Sequence, residues 1–421
     1  MARRGVEVTG TEKRPDIVAL ANAGIPHFSE HGLAPALKEV VAKGLFNATT
    51  SLDNHAPADI YVITVGTPLV PGQTVPRTDM IEQASGQVAG HFADGATIIL
   101  RSTVQVGTTR NIVLPILQAT GKRFNLAMCP ERTLEGDALR ELTSLPQIVG
   151  GMDDEASDRA VALFSRLTHT TVRVADPETA EMIKLVDNTS RDVHFAFANE
   201  VARACDALGI NGIDVIRFGK LGYPRTNVAM PGLVGGPCLE KDPHILLASL
   251  ASSGIDLEIT RAARMVNERQ PWETVASLLA LMAKRALPPP YTIAIAGMAF
   301  KGVPETDDLR GAMSLKVVEA LRRSPLVGEL RVYDKVVSSD DLLKLNIGVV
   351  PCRSIMEAVT GAHALVIANN HPEFSAISLQ QIASVMRPDH VVFDYWNNLA
   401  SETPSALSGT YFTVGNQAGV H

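Results

Sequence analysis

A chain of 421 residues is longer than one hydrophobic core usually organises, so two or three domains are expected. Hydrophobic residues make up 46%, charged residues 20%, and the formal net charge is -7 with Lys and Arg dispersed, which excludes a basic face for nucleic acid. No apolar run approaches a bilayer span and no charged-then-apolar leader opens at Met1, so a cytoplasmic protein without membrane partners is expected.

In chain order, Gly5–Thr11, Asp59–Thr64, Thr97–Leu100 and Asn125–Met128 read as strands. Pro35–Lys43, Met80–Phe92 and Thr109–Ala119 read as helices, the first with its proline at the helix start. This alternation predicts a parallel sheet covered on both faces. From Glu178 to Ala263 strand signals vanish, and apolar residues recur at helical spacing through Met182, Leu185, Val186, Val193, Phe197 and Val201. One long helix over much of Glu178–Leu208 is predicted there, followed by helices at Ile213–Phe218 and His244–Arg264. Pro288-Pro289-Pro290 predicts an abrupt linker, since consecutive prolines cannot continue a helix. Strands at Tyr291–Ala296, Leu330–Tyr333, Ala364–Ala368 and Val391–Asp394, with a helix at Ser314–Arg323, then predict a second α/β domain.

The four cysteines, Cys129, Cys205, Cys238 and Cys352, form no CxxC pair and read as thiols of a reducing compartment. Among the histidines only His27 and His31 stand four apart, and with no further ligands nearby no metal is expected.

Cys238 lies in Gly235-Gly236-Pro237-Cys238-Leu239-Glu240-Lys241-Asp242-Pro243. Gly235 and Gly236 permit close approach to a ligand, and a helix following Asp242 puts the thiol near a helix N-terminus, which favours the nucleophilic thiolate. Asp242, four residues on, shares its side if the turn is helical; the plainer reading is a buried structural thiol with Asp242 as a helix cap. Lys184 and Asn188 share one helix face and suit donation to a developing oxyanion, against the plainer reading of a solvated face. Cys129-Pro130-Glu131-Arg132-Thr133-Leu134-Glu135-Gly136 leaves a predicted strand where α/β proteins place ligands. Glu131 and Glu135 there suit proton or water handling, or else are exposed loop acids capping the next helix. Ser102-Thr103-Val104-Gln105-Val106-Gly107-Thr108 offers hydroxyls at the same edge.

Together these segments resemble the UDP-glucose/GDP-mannose dehydrogenase family. The matching stretches, in order, are Val65-Gly66-Thr67-Pro68, Ser102 through Gly107, Pro130-Glu131, Lys184 through Asn188, Gly235 through Asp242, and Ala299-Phe300-Lys301 through Arg310. The resemblance implies an α/β fold of two Rossmann-like parallel-sheet domains joined by a central helical dimerisation domain, with boundaries at 1–175, 176–285 and 286–421. It implies an NAD-dependent oxidoreductase of polysaccharide biosynthesis, acting on a UDP-sugar as a homodimer. A C6 alcohol becomes an aldehyde, Cys238 captures it as a thiohemiacetal, and a second oxidation gives a thioester that water releases as the acid. By the same resemblance Lys184 and Asn188 stabilise the oxyanion and Asp242 holds a water or assists proton transfer. Glu131 activates the hydrolytic water, supported by Glu135 and Thr103; Glu12, Thr67 and Thr103 contact NAD. Lys301 grips the substrate, and Arg225 reaches it across the dimer interface. The Cys129-Pro130-Glu131-Arg132 form points to UDP-N-acetylmannosamine or UDP-N-acetylglucosamine, with UDP-glucose as the alternative sugar.

Two departures stand out. The segment Met1–Glu12 resembles the family's second strand, and the GxGxxG turn that cradles the pyrophosphate is not found in it. The expectation is a longer natural chain that supplies the missing strand and turn. The competing readings are a short product with impaired NAD binding and a nucleotide-sugar-binding protein without turnover. Asp394-Tyr395-Trp396-Asn397 carries Trp396 where relatives have arginine.

Overall fold

In the computed structural model, residues 1–399 and 410–416 are described. They form two compact units, Met1–Thr189 with Lys241–Asp256, and Ser190–Glu240 with Leu257–His421.

The first unit holds a two-stranded and a five-stranded sheet. β1 (Val8–Thr11) pairs in parallel with β2 (Phe46–Thr49) and with no other described strand. The larger sheet runs in the order β3 (Ile60–Ile63), β4 (Ala96–Leu100), β5 (Phe124–Met128), β6 (Gln147–Gly151) and β7 (Thr171–Arg173). All its pairs are parallel except β5 with β6, where Ala127 faces Gly151 and Met128 faces Gly150. The strands expected from the sequence, β3, β4 and β5, pair in parallel as expected, and β6, which that reading did not name, adds one antiparallel pair. Its core is Ile98, Leu100, Leu126 and Met128, packed with Ile81 and Val88 of the Asp79–His91 helix and with Phe92 just after it.

Burial thins toward β3 and β1. Every residue of β4 is buried, Val62 of β3 is exposed, and β1 buries none of its residues. Parallel strands are ordinarily covered on both faces, so β1 and β3 each behave as a sheet edge.

The second unit has one parallel six-stranded sheet ordered β10 (Val350–Pro351), β9 (Val327–Tyr333), β8 (Tyr291–Ala296), β11 (Ala364–Ile367), β12 (Val391–Asp394) and β13 (Tyr411–Thr413). Strand order reverses between β8 and β11, so the loops after these strands part there and leave a crevice at their carboxyl ends.

The long helix spans Pro177–Leu208, and the boundary of the two units falls within it. It stops at Gly209, whose φ of 69° turns the chain while Ile210 N–H reaches back to the Cys205 carbonyl at 2.9 Å. Asn211 then starts the Gly212–Gly219 helix by accepting from the Ile213 N–H at 3.0 Å. The predicted His244–Arg264 helix is two helices, Asp242–Ser249 and Glu258–Lys284, parted by a turn in which Gly254 has a φ of 72°. The second continues through Pro271, and Val275, Leu278, Leu281 and Met282 beyond it bury in the core that also holds Val317, Val318 and Leu321 of the Met313–Arg322 helix and Tyr291 and Ile293 of β8. That burial outweighs the roughly 3 kcal/mol that an internal proline costs. The Leu33–Ala42 helix begins two residues before its proline rather than at it.

Candidate active site

The first unit brings several expected residues together at the carboxyl ends of its strands. Thr67, in the loop after β3, donates its hydroxyl to the Thr103 carbonyl in the loop after β4, joining the two loops. Thr67, Pro76, Arg77, Thr78, Val104, Gln105 and Thr108 line a small recess there. Glu12 stands just past β1, its backbone N–H on the Thr49 carbonyl at 3.0 Å and its carboxylate accepting from the Arg14 N–H at 2.9 Å. The link from β1 to the Pro15–Asn22 helix contains no glycine.

Lys184 and Asn188 are 7% and 6% exposed, so the reading of a solvated helix face does not hold. Asn188 donates its amide to Asp242 Oδ2 at 2.6 Å, while Lys241 donates to Oδ1 at 2.6 Å. Asp242, fully buried, is the first residue of its helix and not a cap; the cap is Lys241. Lys184 forms no ion pair with a carboxylate among the described residues, so its stem is covered while its ammonium is uncommitted to any acid.

In the loop after β5, burial alone would raise the Glu131 carboxyl. The Arg101 guanidinium and the Thr133 and Arg132 N–H groups outweigh it and hold the acid below its usual range. Glu131 is thus an ionised, anchored group rather than a free loop acid. Glu135 follows in the same loop, which Glu30 braces by accepting from Gly136 N–H at 2.7 Å and Ala138 N–H at 2.9 Å.

Sequence reasoning passed over Glu181, one helical turn before Lys184. Its carboxylate accepts from the Gly107 N–H at 2.5 Å, the Thr109 N–H at 2.8 Å and the Thr109 hydroxyl at 2.6 Å. It therefore holds the far end of the loop that carries Thr103. Burial pushes its pKa up to about 7 in spite of those bonds. An acid at a buried phase of an amphipathic helix was the signal that could have found it.

The second unit carries the thiol. Cys238 is exposed, whereas Cys129, Cys205 and Cys352 are buried, so the reading of a buried structural cysteine does not hold. It sits in a single helical turn, Gly236–Leu239, and not at the start of the helix that opens with Asp242. Gly236 has a φ of 85° and donates its N–H to the Gly311 carbonyl at 2.7 Å. Any side chain added at Gly236 would strike the Phe300 ring, which explains the glycine. Phe300 and Lys301 belong to the loop after β8, at the strand-order reversal, and the Lys301 ammonium lies 5.1 Å from the Phe300 ring centroid. In that crevice His371 Nε2 pairs with Glu305 at 2.9 Å and Asn370 accepts from the Gly302 N–H at 2.8 Å. Trp396 donates its indole N–H to the Ala368 carbonyl at 3.1 Å and packs its ring on Gly232, so it serves as a wall of the cysteine segment. Arg225 is exposed, its guanidinium 4.5 Å from the Tyr223 ring centroid. His27 and His31 lie outside any helix, so their four-residue spacing does not put them on one face.

Residues 1–168 match the NAD binding domain, 178–269 the central domain and 294–401 the UDP binding domain of the UDP-glucose/GDP-mannose dehydrogenase family. The chain is 33% identical over 409 residues to a UDP-N-acetyl-D-mannosamine dehydrogenase of Pyrococcus horikoshii, covering 96% of this chain and 92% of that one. The solved structure of a Pyrococcus horikoshii UDP-D-ManNAc dehydrogenase superposes with a TM-score of 0.88 at 32% identity, covering 99% and 95% of the two chains. A UDP-N-acetyl-mannosamine dehydrogenase from Staphylococcus aureus gives 0.85 at 27% identity, covering 100% and 95%.

Proposed function

The chain belongs to the UDP-glucose/GDP-mannose dehydrogenase family, and on that premise we propose that it oxidises the C6 hydroxymethyl of UDP-N-acetylmannosamine to the carboxylate through Cys238. The observation that carries the proposal is the exposed thiol of Cys238 on a segment whose neighbours Gly232–Val234 and Leu239 are buried. The sugar choice rests on the names of the relatives.

The residues after β3 and β4 would hold the cofactor: Thr67 lines the recess and donates to the carbonyl of Thr103, and Glu12 stands just past β1, where a ribose hydroxyl would be met. The cofactor would supply the oxidant, two NAD molecules in succession each taking up one hydride. The first oxidation leaves an aldehyde at C6 and releases the hydroxyl proton. The Cys238 thiolate then adds to the carbonyl carbon, and the resulting oxyanion is met by the Lys184 ammonium and the Asn188 amide. Asp242 fixes that amide by accepting one of its N–H groups. Loss of the second hydride leaves a thioester, and water displaces the thiol to give the acid. Glu131, held ionised by Arg101, orients and deprotonates this water, with Glu135 and Thr103 in support. Lys301 and the Gly235-Gly236 backbone hold the nucleotide sugar, and Arg225 completes the site from the second subunit of a cytoplasmic homodimer. In this reading 1–175 binds NAD, 176–285 carries the central helices, and 286–421 binds UDP.

The test is NADH formation with UDP-N-acetylmannosamine, UDP-N-acetylglucosamine and UDP-glucose in parallel. Two NADH per UDP-N-acetylmannosamine are expected, with Cys238→Ala unable to complete the second oxidation. Preference for another sugar overturns the substrate assignment. Absence of turnover, with UDP-sugar still bound, favours a binding protein.

A further inference from the structure

From Met230 to Gly235 the chain that leads to Cys238 is neither helix nor strand, yet Pro231–Val234 are buried. Buried backbone without a ladder must find partners elsewhere. It finds them on two helices of the same unit. Asn199, on the Pro177–Leu208 helix, accepts from the Gly232 N–H at 2.9 Å and donates to the Gly232 carbonyl at 3.1 Å. Arg264, on the Glu258–Lys284 helix, donates to the Leu239 carbonyl at 2.6 Å and to the Val234 carbonyl at 3.1 Å. One guanidinium thus bridges the carbonyls four residues before and one residue after the thiol.

These side chains are themselves held. Arg264 also donates to Asp192 at 2.6 Å, and Asn267 donates to the Asp192 carboxylate at 2.9 Å and to its carbonyl at 3.0 Å. Asn199 in turn donates to the Asn267 amide oxygen at 3.0 Å. Asp192, Asn199 and Asn267 are fully buried and Arg264 is 1% exposed. Trp396 closes the other side by packing on Gly232. A buried ion pair of this kind is a poor source of stability, since apolar replacements of equal volume commonly match it. What it supplies is a fixed direction for several hydrogen bonds at once.

We propose that Asn199 and Arg264, braced by Asp192 and Asn267, are positioning residues for Cys238, fixing the segment that presents the thiol to the C6 aldehyde. The proposal rests on Cys238 being the nucleophile. Neither residue takes part in the chemistry; each acts through the backbone it grips. The first oxidation needs no covalent bond, whereas the second requires the thiol within attack distance, where an error of 1 Å costs on the order of 100-fold. Loosening the grip therefore slows the second oxidation selectively.

Two variants test this, Asn199→Leu, which removes both bonds to Gly232, and Arg264→Lys, which keeps the charge opposite Asp192 but loses the two-carbonyl bridge. Single-turnover NADH formation is followed with UDP-N-acetylmannosamine, beside cofactor-free hydrogen exchange of Gly232–Leu239. The second phase is expected to slow about 10- to 100-fold, with the first phase and the KM for NAD within about threefold. Exchange in Gly232–Leu239 is expected to rise about tenfold while the Pro177–Leu208 helix stays protected. Equal slowing of both phases, or unchanged phases in a folded variant, overturns the proposal. If Asn199→Leu does not fold, Arg264→Lys decides alone. Cys238→Ser separates the two readings. If it still yields two NADH per sugar, the thiol chemistry fails and the positioning role with it. If it stops after one while both grip variants run as the parent does, only the positioning role fails.

Discussion

Lys184 separates function from folding at a single position. The residue is 7% exposed and makes no ion pair among the described residues, so its part in the fold is the packing of its stem, which a methionine reproduces. Lys184→Met is expected to change stability by less than about 1 kcal/mol in thermal or denaturant unfolding, while kcat falls roughly 100- to 1,000-fold. A variant that loses both stability and activity contradicts this account. Glu181 makes a pH-dependent case. Its folded pKa, about 7, lies above the ordinary 4.5, so between these values the folded state holds a proton that the unfolded chain has released. Stability from this group is present below about pH 4.5 and lost as pH rises through 7, a change of at most roughly 3 kcal/mol. In Glu181→Gln, unfolding midpoints measured from pH 4.5 to 7.5 are expected to lose that decline.

At the scale of elements, the sheet of the first unit is uneven. β1 and β2 form a two-stranded parallel pair, and such pairs are marginal unless covered. With no residue of β1 buried, the amides of Val8–Thr11 are expected to exchange within the earliest time points, long before those of β4 and β5. Protection of β1 equal to that of β4 would show that something covers its edge. The Glu258–Lys284 helix teaches the opposite lesson. The sequence reading ended it at Arg264, yet it runs through Pro271 to Lys284, with Ala263 and Val266 before the proline buried beside Ala196 and Val275, Leu278, Leu281 and Met282 after it buried in the second unit's main core. Local rules failed here because the deciding energy comes from residues distant in sequence.

At the scale of the whole molecule, the second unit leaves large apolar side chains in solvent, among them Phe197, Phe218, Ile259 and Met265 on its helices and Leu221 in the turn after one. Exposed apolar residues in such number suit a second copy of the chain. Light scattering is expected to give twice the 45.0 kDa chain mass, and Phe218→Glu with Leu221→Glu is expected to halve it. A parent protein that already runs as a single chain sinks this assignment. No described helix is long and apolar enough to cross a membrane.

The sequence alone determined the α/β class, the long helix from Glu178 and the strands Tyr291–Ala296 and Val391–Asp394, because periodicity and motif order are local properties. It paired Lys184 with Asn188 and Cys238 with Asp242 by spacing. Only the tertiary structure linked Asn188 to Asp242, 54 positions apart, anchored Glu131 on Arg101, and turned β6 antiparallel. Asn199, Arg264 and Glu181 carried no motif and were missed for the same physical reason. A buried polar side chain gets its meaning from the backbone it reaches, and that backbone is brought to it by folding.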